Sequence, residues 1–514
     1  FAVYRNKALQ TLTTDYTVNL ATSTVTLNAA TGAGAVIVIA NLGGTEAQPH
    51  NILLEGLHIE KTTGGEQQAA ANTAGILLED CYDVTVSKCR LEDNRSAGIL
   101  ISQVSSYGKR SSPPFQTNNI RISDCVGYGE VGEDEDDFDN SWPNGFGSFI
   151  TGNQFEEVQV SGCYADGFGF TNISLNGQNT TVQSCVSINS KYSGITIGHP
   201  VIGSKANSVV CDGNVVRGNL QSGINTTCAK NLIISNNAAE GNAETSGGEI
   251  EIRWEALKDV DGDTGQTTIS GNTIHNGIRH GILLEAGSDT HIIGNSIHSC
   301  GSTGHSGIYF ERKTGNDGQT PPVEFDDNHD EPGRLVIVDN KITSNGSYGI
   351  NLELGKVVNI SGNTIHDNGL RGIQLSQFDS TATMEAAVKN NHLKDNGGSE
   401  RPAIYVITDQ AKGIVNAVCA ENTIETSAIG TKQGAGIRCD GANSTVKISN
   451  NIFSDAYEAG LNTVVANRAG KALTVHDDGK IVYANIINAE HDGRSYLNVK
   501  DFGATGDGST DDTN

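Results

Sequence analysis

Apolar and polar residues alternate along short stretches of this chain, and the same short pattern returns many times. In "ISGNTIHNGIRHGILLEAGSDTHIIGNSIHSCGSTGHSGIYFE", residues 269–311, an apolar residue leads to Gly-Asn, then Ile-His, then Gly-Ile, then apolar or aromatic residues and a Glu, and the stretch runs through this order twice. Alternation with a period of two residues, broken at Gly-Asn or Asp-Gly, predicts strands of four or five residues and no helix.

Aligning the turns produces two columns of equivalent residues. The corner column holds Asn or Cys, three residues after an apolar residue or a cysteine: Cys89, Cys125, Cys163, Cys185, Asn214, Asn237, Asn272, Asn295, Asn340, Asn363, Asn391, Asn422 and Asn451. The glycine column nearly always precedes Ile or Phe: Gly75, Gly98, Gly145, Gly167, Gly194, Gly223, Gly281, Gly307, Gly349, Gly372 and Gly436, with Glu249 and Ala403 in place of Gly in two copies. The common interval is 22 to 33 residues.

A repeat of this length predicts a solenoid in which each coil buries one face against its neighbours. We interpret the chain as an all-β protein, a right-handed parallel β-helix of about 13 coils stacked at about 4.8 Å. An Asn at the same corner of successive coils can hydrogen-bond the Asn above and below it, so the corner column is predicted to be structural.

The ten cysteines fit the same scheme as small buried apolar residues. Stacked neighbours have parallel Cβ vectors, which is poor disulfide geometry, and the Cys-x-x-Cys spacing typical of zinc sites does not occur. The sequence therefore predicts free thiols and folding in a cytoplasm.

Composition narrows the classes of partner. The 514 residues are 36% hydrophobic, with 62 Gly and a formal net charge of -26. This charge argues against nucleic acid and anionic membrane surfaces, because neutralising phosphates requires clustered Lys and Arg. No run of 18 apolar residues occurs, so no membrane insertion is expected. The charge also disfavours polyuronate substrates unless local Arg or Ca²⁺ intervenes.

The coil pattern of residues 51–465 resembles the pectate-lyase superfamily of β-helices, which includes polygalacturonases, mannuronan epimerases and phage tailspikes. "YLNVKDFGATGDGSTDDTN", residues 496–514, is similar to the motif that opens the β-helix in many of these proteins, but here it follows the coils. This order indicates either a second β-helix domain that is cut off or a permuted chain. Residues 1–40 resemble a small β module found near the front of phage tail fibres and tailspikes.

These resemblances divide the chain into a small β module (1–42), the parallel β-helix (43–465), a β-hairpin segment on an Asp-Gly turn (466–495) and the truncated or permuted opening motif (496–514). They imply a virion tailspike that is assembled in the host cytoplasm, forms a homotrimer, contacts other phage tail proteins and binds or cuts a bacterial surface polysaccharide. A secreted protein of the same fold is the alternative.

Two active sites known in the superfamily are missing. Mannuronan epimerases place Asp-Pro-His-Glu after a Gly-Tyr-Gly-Phe coil, whereas the matching stretch "DGFGFTNISLNG" has Thr171, Asn172, Ile173 and Ser174 there. The ordered set of acids, His and basic residues typical of polygalacturonases is also absent. Any activity therefore has to use other residues.

Three acids stand four residues after the column glycine in consecutive coils: Glu285, Glu311 and Glu353. In a parallel solenoid equivalent positions stack, so their carboxylates are expected about 5 Å apart on one strip of surface. Because like charges that close cannot all ionise cheaply, at least one is expected to hold a proton as a general acid while a neighbour stays ionised. The strip is thus a candidate catalytic site for glycoside hydrolysis, and no cofactor is required.

Several residues beside this strip are candidates for sugar binding, because aromatic faces, amides and charges are typical of sugar-binding grooves: Glu251, Arg253, Trp254, Tyr309, Arg312, Asn351 and Gln374. Tyr309 with Arg312 leaves a lyase or epimerase mechanism open. The structural alternative is that these acids are solvated edge charges, neutralised by Arg253 and Arg312, in a non-catalytic glycan-binding or spacer fibre.

One short acidic loop has calcium-like spacing. "DVDGDTG" places Asp259, Asp261 and Asp263 at alternate positions, as in loops that wrap Ca²⁺, although the sixth position is Thr264 and no Glu follows at the twelfth. Ca²⁺ is the one metal ion that the sequence suggests.

Overall fold

The computed structural model describes residues 4–5, 8–9, 16–19, 24–27, 37–40, 50–60, 74–79, 81–92, 94, 97–102, 117–129, 147–198, 206–227, 229–253, 265–285, 289–302, 304–311, 333–377, 383–397, 401–408, 413–427, 435–440, 444–453, 465–466 and 479–488. Strands are the only regular elements in these ranges, and no helix there is long and apolar enough to cross a membrane. The chain forms two compact units, Phe1–Thr267 and Thr268–Asn514.

The strands of unit 1 are short and follow one another closely along the chain. They are β1 (Tyr4–Arg5), β2 (Ala8–Leu9), β3 (Tyr16–Asn19), β4 (Thr24–Leu27), β5 (Ile37–Ala40), β6 (His50–Glu55), β7 (His58–Glu60), β8 (Ala74–Glu79), β9 (Tyr82–Ser87), β10 (Arg90–Glu92), β11 (Ala97–Ser102), β12 (Asn118–Ser123), β13 (Val126–Tyr128), β14 (Ser148–Ser161), β15 (Tyr164–Asp166), β16 (Ile173–Gln183), β17 (Val186–Ile188), β18 (Ile195–Ile197), β19 (Ala206–Asp212), β20 (Val215–Arg217), β21 (Ile224–Thr227), β22 (Ala229–Ser235), β23 (Ala238–Glu240) and β24 (Gly248–Arg253). The next strand, β25 (Gln266–Ser270), contains the boundary between the units.

Unit 2 repeats the same order of strand lengths. Its strands are β26 (Thr273–His275), β27 (His280–Leu284), β28 (Asp289–Ile293), β29 (Ser296–His298), β30 (Ile308–Phe310), β31 (Arg334–Val338), β32 (Lys341–Thr343), β33 (Tyr348–Leu352), β34 (Val357–Ser361), β35 (Thr364–His366), β36 (Arg371–Gln377), β37 (Thr383–Lys389), β38 (His392–Lys394), β39 (Pro402–Thr408), β40 (Ile414–Ala420), β41 (Thr423–Glu425), β42 (Ala435–Asp440), β43 (Ser444–Phe453), β44 (Val465–Ala466) and β45 (Gly479–Asn488).

Each unit is a parallel β-helix, which confirms the predicted fold. A strand pairs with the equivalent strand of the next coil: in unit 2, β28 pairs with β31, β31 with β34 and β34 with β37, all in parallel and residue for residue. Three rows of strands result. The first row precedes the corner column, the second consists of three-residue strands after it, and the third, such as β27, β30, β33 and β36, begins at the glycine column.

The core of unit 2 is the predicted apolar column. Ile292, Ile337, Ile360 and Val388 are partners in successive first-row strands, and each is completely buried. Their neighbours in sequence are partly or fully exposed, except Val336, which is 8% exposed, and this is the alternation that the sequence shows. A thin core of stacked aliphatic side chains therefore runs along the coils, as expected from the small content of aromatic residues.

Left-handed backbone turns every corner. The residue before each of the 13 corner-column positions has φ between 51° and 69°, whether it is Gly, Asn, Asp, Ser, Lys or Glu. This region is accessible to Gly at no steric cost and tolerated by Asn and Asp, which explains the recurring Gly-Asn, Asn-Asn and Asp-Asn pairs. The turn and the column residue after it therefore form one structural unit.

The Asn members of the corner column form the predicted ladder. Asn340 donates from its backbone N and from Nδ2 to Oδ1 of Asn363, at 2.9 and 3.0 Å, and accepts the same two bonds from Asn295, both at 2.9 Å. Its Nδ2 also donates to the carbonyl oxygen of Ile292 at 2.9 Å. Every polar atom of the buried amide is thereby satisfied, which buried polar groups require.

In several coils a second Asn ladder lies five residues after the corner column, and the sequence analysis missed it. Asn345 donates to Oδ1 of Asn368, and Asn368 to that of Asn396, with Nδ2–Oδ1 distances of 2.9 and 2.8 Å. In unit 1 the equivalent bond from Asn219 to Asn242 is 2.7 Å. The residue before each of these Asn is again left-handed. That repeated local signal could have revealed the ladder.

The glycine column needs two corrections. Strand pairing aligns Phe149 with Gly98 and Asn172 with Gly194, so these residues, and not Gly145 and Gly167, occupy the column in their coils. At other positions of the column only Gly fits, because a Cβ would clash with the neighbouring coil. A Cβ on Gly307 would lie 2.5 Å from Ile342 and 2.8 Å from the carbonyl oxygen of Gly349.

Polar side chains replace Gly at two positions of this column and form buried hydrogen bonds, and one of them, Glu249, joins the second ladder. Asn172 donates from Nδ2 to the carbonyl oxygen of Ile188 at 2.9 Å and to Oγ of Ser187 at 3.0 Å. Glu249 accepts the backbone N–H of Asn242 at 2.7 Å, and its other oxygen accepts Nδ2 of Asn242 at 2.5 Å. Glu249 therefore occupies the place that the next Asn carbonyl would take, which explains why Gly is replaced in this coil.

The cysteines behave as predicted where the structure describes them. Nine are described, and all are buried. Cys89, Cys125, Cys163 and Cys185 stack in the corner column, and the backbone N–H of Cys185 donates to Oδ1 of Asn214 at 3.0 Å, where the Asn ladder begins.

The predicted terminal segments are described only in part. β3 and β4 form an antiparallel pair, whereas β5 pairs in parallel with β8 of the helix. β45 lies within the predicted hairpin segment and pairs in parallel with β43. Residues 467–478 and 489–495 of that segment and the opening motif, residues 496–514, lie outside the described residues, so the domain boundaries stay predictions.

Asn340→Ala should destabilise the fold by about 3 kcal/mol, because it leaves two buried donors of Asn295 without an acceptor. The measurement is the free energy of unfolding from urea denaturation. Asn359→Ala, a half-buried Asn of β34 outside the ladder, should change stability by less than about 0.5 kcal/mol. Equal effects of the two substitutions would contradict a structural role of the ladder.

Glu249 should make stability depend on pH. Burial raises its pKa from 4.5 to about 7, against the opposing hydrogen bonds from Asn242. Between these two values the folded protein binds more protons at this site than the unfolded chain, so stability falls as pH rises through the window. We expect the wild type to lose about 3 kcal/mol relative to Glu249→Gln between pH 4.5 and 7. Calorimetry checks this, and Glu244→Gln, at an exposed position, should retain the wild-type profile. Parallel profiles for Glu249→Gln and the wild type would refute the prediction.

Candidate functional site

The third row of unit 2 presents one outward residue from each coil. Strand pairing places these residues in a line: Leu283, Tyr309, Asn351, Gln374, Tyr405 and Arg438. The residues between them, such as Ile308, Ile350 and Ile373, fill the core. Residues that lie 23 to 42 apart in the chain are thus direct neighbours on one surface.

The three predicted acids lie at the end of these strands, in the predicted order. The backbone N–H of Glu311 donates to the carbonyl oxygen of Leu284 at 2.9 Å, and that of Glu353 to the carbonyl oxygen of Phe310 at 3.2 Å. These bonds continue the strand register by one residue, so Glu285, Glu311 and Glu353 are equivalent positions of consecutive coils. All three side chains are partly exposed.

Tyr309 connects the outward line to the acids. Its hydroxyl donates to Oε1 of Glu353 at 2.9 Å. Burial, followed by the negative charges of Glu353 and Glu311, raises the pKa of Tyr309 far above its usual value of 10. The phenol therefore stays protonated and acts as a hydrogen-bond donor that orients the Glu353 carboxylate.

A pair of histidines lies against Tyr309. The ring of His280 is 4.7 Å from that of Tyr309, centroid to centroid, and its Nε2 is 3.3 Å from Nδ1 of His305. Nδ1 of His280 accepts the backbone N–H of Ser306 at 3.0 Å, which assigns the proton of the neutral ring to Nε2. Burial, with smaller effects from His305 and Arg279, lowers the pKa of His280 to about 3. His280 is thus a neutral ring of fixed tautomer behind the acid strip.

Some of the predicted sugar-binding residues are too buried for that role. Asn351 is 5% exposed and Gln374 9%, while Glu251 of unit 1 is 1% exposed. Glu251 accepts a hydrogen bond from Ser222 Oγ and pairs with Nε of Arg253 at 2.8 Å. This burial counts against direct sugar contact by these three side chains. Arg253 and Tyr309 are partly exposed.

The sequence reading missed other polar side chains on the same face. Tyr348, Arg371, Tyr405 and Arg438 occupy the third-row strands β33, β36, β39 and β42 of unit 2. Tyr348 and Arg371 fall one residue before the glycine-column position, and Tyr405 and Arg438 fall two residues after it. The sequence contains that spacing, but a row of tyrosine and arginine has no strict periodicity of its own.

The remaining candidates lie outside the described residues: Trp254, Arg312, Asp259, Asp261 and Asp263. The predicted Ca²⁺ site is therefore still a prediction. Within the part of the chain that the structure describes, no group of three or more His, Cys, Asp and Glu side chains is arranged to hold a metal ion.

His280 should remain neutral well below the usual range of histidine. Its folded pKa of about 3 lies below the unfolded value of 6.5, so the unfolded chain binds more protons and this site costs stability progressively as pH falls below 6.5. We expect ¹⁵N NMR of the imidazole, assigned with His280→Gln, to report the neutral Nε2–H tautomer from pH 7 to pH 5. An imidazolium spectrum at pH 5 would contradict the buried geometry.

Comparison with known proteins agrees with the fold. The family model for the right handed beta helix region matches residues 259–406 and 325–487, which together cover less than half of the chain. No curated protein matches the sequence.

Solved structures that are similar to this chain have different activities. The A-module of mannuronan C-5 epimerase AlgE6 from Azotobacter vinelandii is 14% identical, with a TM-score of 0.45 over 78% of this chain and 91% of that one. PfbA, a surface adhesin of Streptococcus pneumoniae, is 14% identical, with a TM-score of 0.36 over 79% and 82%. Tailspike protein 3 of bacteriophage CBA120 is 12% identical, with a TM-score of 0.38 over 88% of this chain and 56% of that one. The region matched by the family model is a right-handed parallel β-helix.

Proposed function

We propose that this protein binds a polysaccharide along the outward third-row face of unit 2 and hydrolyses it with Glu311 and Glu353. The observation that carries the proposal is the position of Tyr309. Its hydroxyl donates a hydrogen bond to Glu353, and the negative charges of Glu353 and Glu311 help to raise its pKa. Two carboxyl groups are thus held on adjacent coils around one fixed hydrogen-bond donor.

The roles follow from the geometry. Glu353 is oriented by Tyr309 and acts as the nucleophile, and Glu311 on the neighbouring coil acts as general acid and then as general base. Equivalent positions of adjacent coils are about 4.8 Å apart, close to the separation of about 5–5.5 Å that is typical of retaining glycosidases. We therefore propose retention of anomeric configuration. Glu285, one coil before Glu311, is the remaining candidate for the acid.

The raised pKa of Tyr309 argues against the lyase alternative. A lyase base has to accept a proton from the sugar near neutral pH, whereas Tyr309 holds its own proton because burial and two acids disfavour the phenolate. A non-catalytic fibre that only binds glycan remains the second candidate, since the tyrosines, acids and arginines of this face are also suited to binding alone.

The biological setting is part of the proposal. The resemblance of residues 1–40 to a module of phage tail fibres and tailspikes supports a homotrimeric phage tail protein that contacts other tail proteins and a bacterial surface polysaccharide. A secreted enzyme of the same fold is the alternative. The similarity to an epimerase module, an adhesin and a tailspike is compatible with each of these settings.

The test is digestion of a panel of bacterial capsular and lipopolysaccharide chains. We expect new reducing ends, retained anomeric configuration by ¹H NMR, and loss of at least about 100-fold in rate for Glu311→Gln and Glu353→Gln with unchanged polymer binding. Glu385→Gln, at an exposed first-row position of unit 2, is the matched control and should keep full activity.

Other outcomes of this digestion identify the alternatives. Unsaturated ends that absorb in the ultraviolet would indicate elimination, and bound but intact polymer would indicate a binding fibre. Normal cleavage by the Glu285→Gln, Glu311→Gln and Glu353→Gln variants would exclude the acid strip as the active site.

A further inference from the structure

Arg371 is held between two tyrosine rings on the third-row face of unit 2. Its Cζ lies 4.2 Å from the ring centroid of Tyr405 and 5.5 Å from that of Tyr348. Its Nη1 donates to the hydroxyl of Tyr348 at 3.2 Å and to Oε1 of Gln374 at 2.5 Å. The planar guanidinium is therefore oriented by stacking and by two hydrogen bonds before any ligand arrives.

This guanidinium has no counter-charge among the described residues. None of the ion pairs found there involves Arg371, and its Nε is a buried donor without a hydrogen-bond partner. Burial lowers its pKa, the two tyrosines oppose that effect, and the nearby charge that acts on it is the positive Arg401. A half-buried charge is normally paired, because leaving water is costly for an ion.

Further positive charge surrounds the same position. The Cζ of Arg438, two coils further on, lies 5.5 Å from the ring centroid of Tyr405, which is the same ring that Arg371 contacts. Arg401 is exposed. A chain with a formal charge of -26 thus concentrates three arginines on one small surface, next to the coil that carries Glu353.

We propose that Arg371, with Arg401 and Arg438, forms an anion-binding subsite for a charged substituent of the glycan. The ligand class is a carboxylate, or a phosphate or sulfate ester, on a sugar unit. The guanidinium fork matches the paired oxygens of such groups and forms charge-assisted hydrogen bonds with them. The inference rests on the proposed function only in assigning the anion to a glycan.

The subsite also resolves a conflict in charge. A protein with this net charge repels an acidic polymer at long range, but screening confines that repulsion to about 8 Å at physiological ionic strength. Within that distance the three arginines attract the anion. Because Tyr348 and Arg371 are direct partners on adjacent strands, the anion would be held one coil from the acid strip and would set the position of the glycan relative to Glu311 and Glu353.

The first experiment follows the arginine side chain itself. In protein labelled with ¹⁵N-arginine, the Nε–H signal of Arg371, identified by its loss in Arg371→Lys, should shift on addition of glucuronate and stay unchanged with glucose. No shift with glucuronate, or an equal shift with glucose, would overturn the subsite. A shift with inorganic phosphate and none with glucuronate would reduce it to an inorganic anion site and overturn its role for sugars.

The second experiment measures binding to acidic polysaccharides and their carboxyl-reduced forms in the Glu353→Gln background, so that cleavage does not deplete the ligand. Arg371→Gln should weaken binding of the acidic polymer about 10- to 100-fold, Arg371→Lys should weaken it less, and neither should affect the reduced polymer. Arg334→Gln, at an exposed first-row position of unit 2, is the control and should bind like its parent.

The outcomes separate this inference from the proposed hydrolysis. If Arg371→Gln and its parent bind the acidic polymer equally, the subsite is wrong even where Glu353 proves catalytic. If Arg371→Gln loses the acidic polymer while Glu311→Gln and Glu353→Gln cleave normally, the subsite stands and the hydrolase assignment fails.

Discussion

The left-handed turn before each corner is the constraint on which the rest of this protein depends. It bends the chain between a first-row and a second-row strand, so each coil turns in the same place and the next coil stacks in register. The Asn or Cys that follows lies on the inner side of the turn, where residues of the preceding and following coils complete its hydrogen bonds. A turn in any other conformation would shift a first-row strand by a residue and move its apolar side chains from the core to solvent.

The places where the repeat is broken are explained by the same requirement. The second ladder needs an acceptor for the last Asn amide, and Glu249 supplies it from the glycine column because its carboxylate reaches the atoms that a further Asn would contact. Asn172, at the same column in another coil, instead donates to a backbone carbonyl oxygen and to a serine hydroxyl. A buried acid is thus tolerated because both of its oxygens are hydrogen-bonded, and burial makes it the one ladder member that is sensitive to pH near neutrality.

Strict register also makes residues that are far apart in the chain neighbours at one chemical site. On the third-row face of unit 2, acids from one set of coils and arginines from the next are brought together around tyrosines. Tyr309 orients Glu353, whereas Tyr348 and Tyr405 orient Arg371. The same residue type therefore supports two opposite charges, as a hydroxyl donor to a carboxylate and as an aromatic face for a guanidinium.

The sequence by itself determined the repeat, the apolar and corner columns and the order of the three acids, because a stacked solenoid maps periodicity directly onto position. The sequence analysis was wrong where the periodicity stops. Phe149 and Asn172 occupy the column positions that were assigned to nearby glycines, because spacing alone cannot distinguish a column residue from a glycine a few positions away. Only the tertiary structure decided which side chains are buried and which charges are paired. In the structure Asn351, Gln374 and Glu251 are buried, a hydrogen bond fixes the tautomer of His280, and Arg371 has no carboxylate partner among the described residues. These properties depend on which side chains of other coils fill the space around a residue, and that information is spread over positions 20 or more apart in the chain.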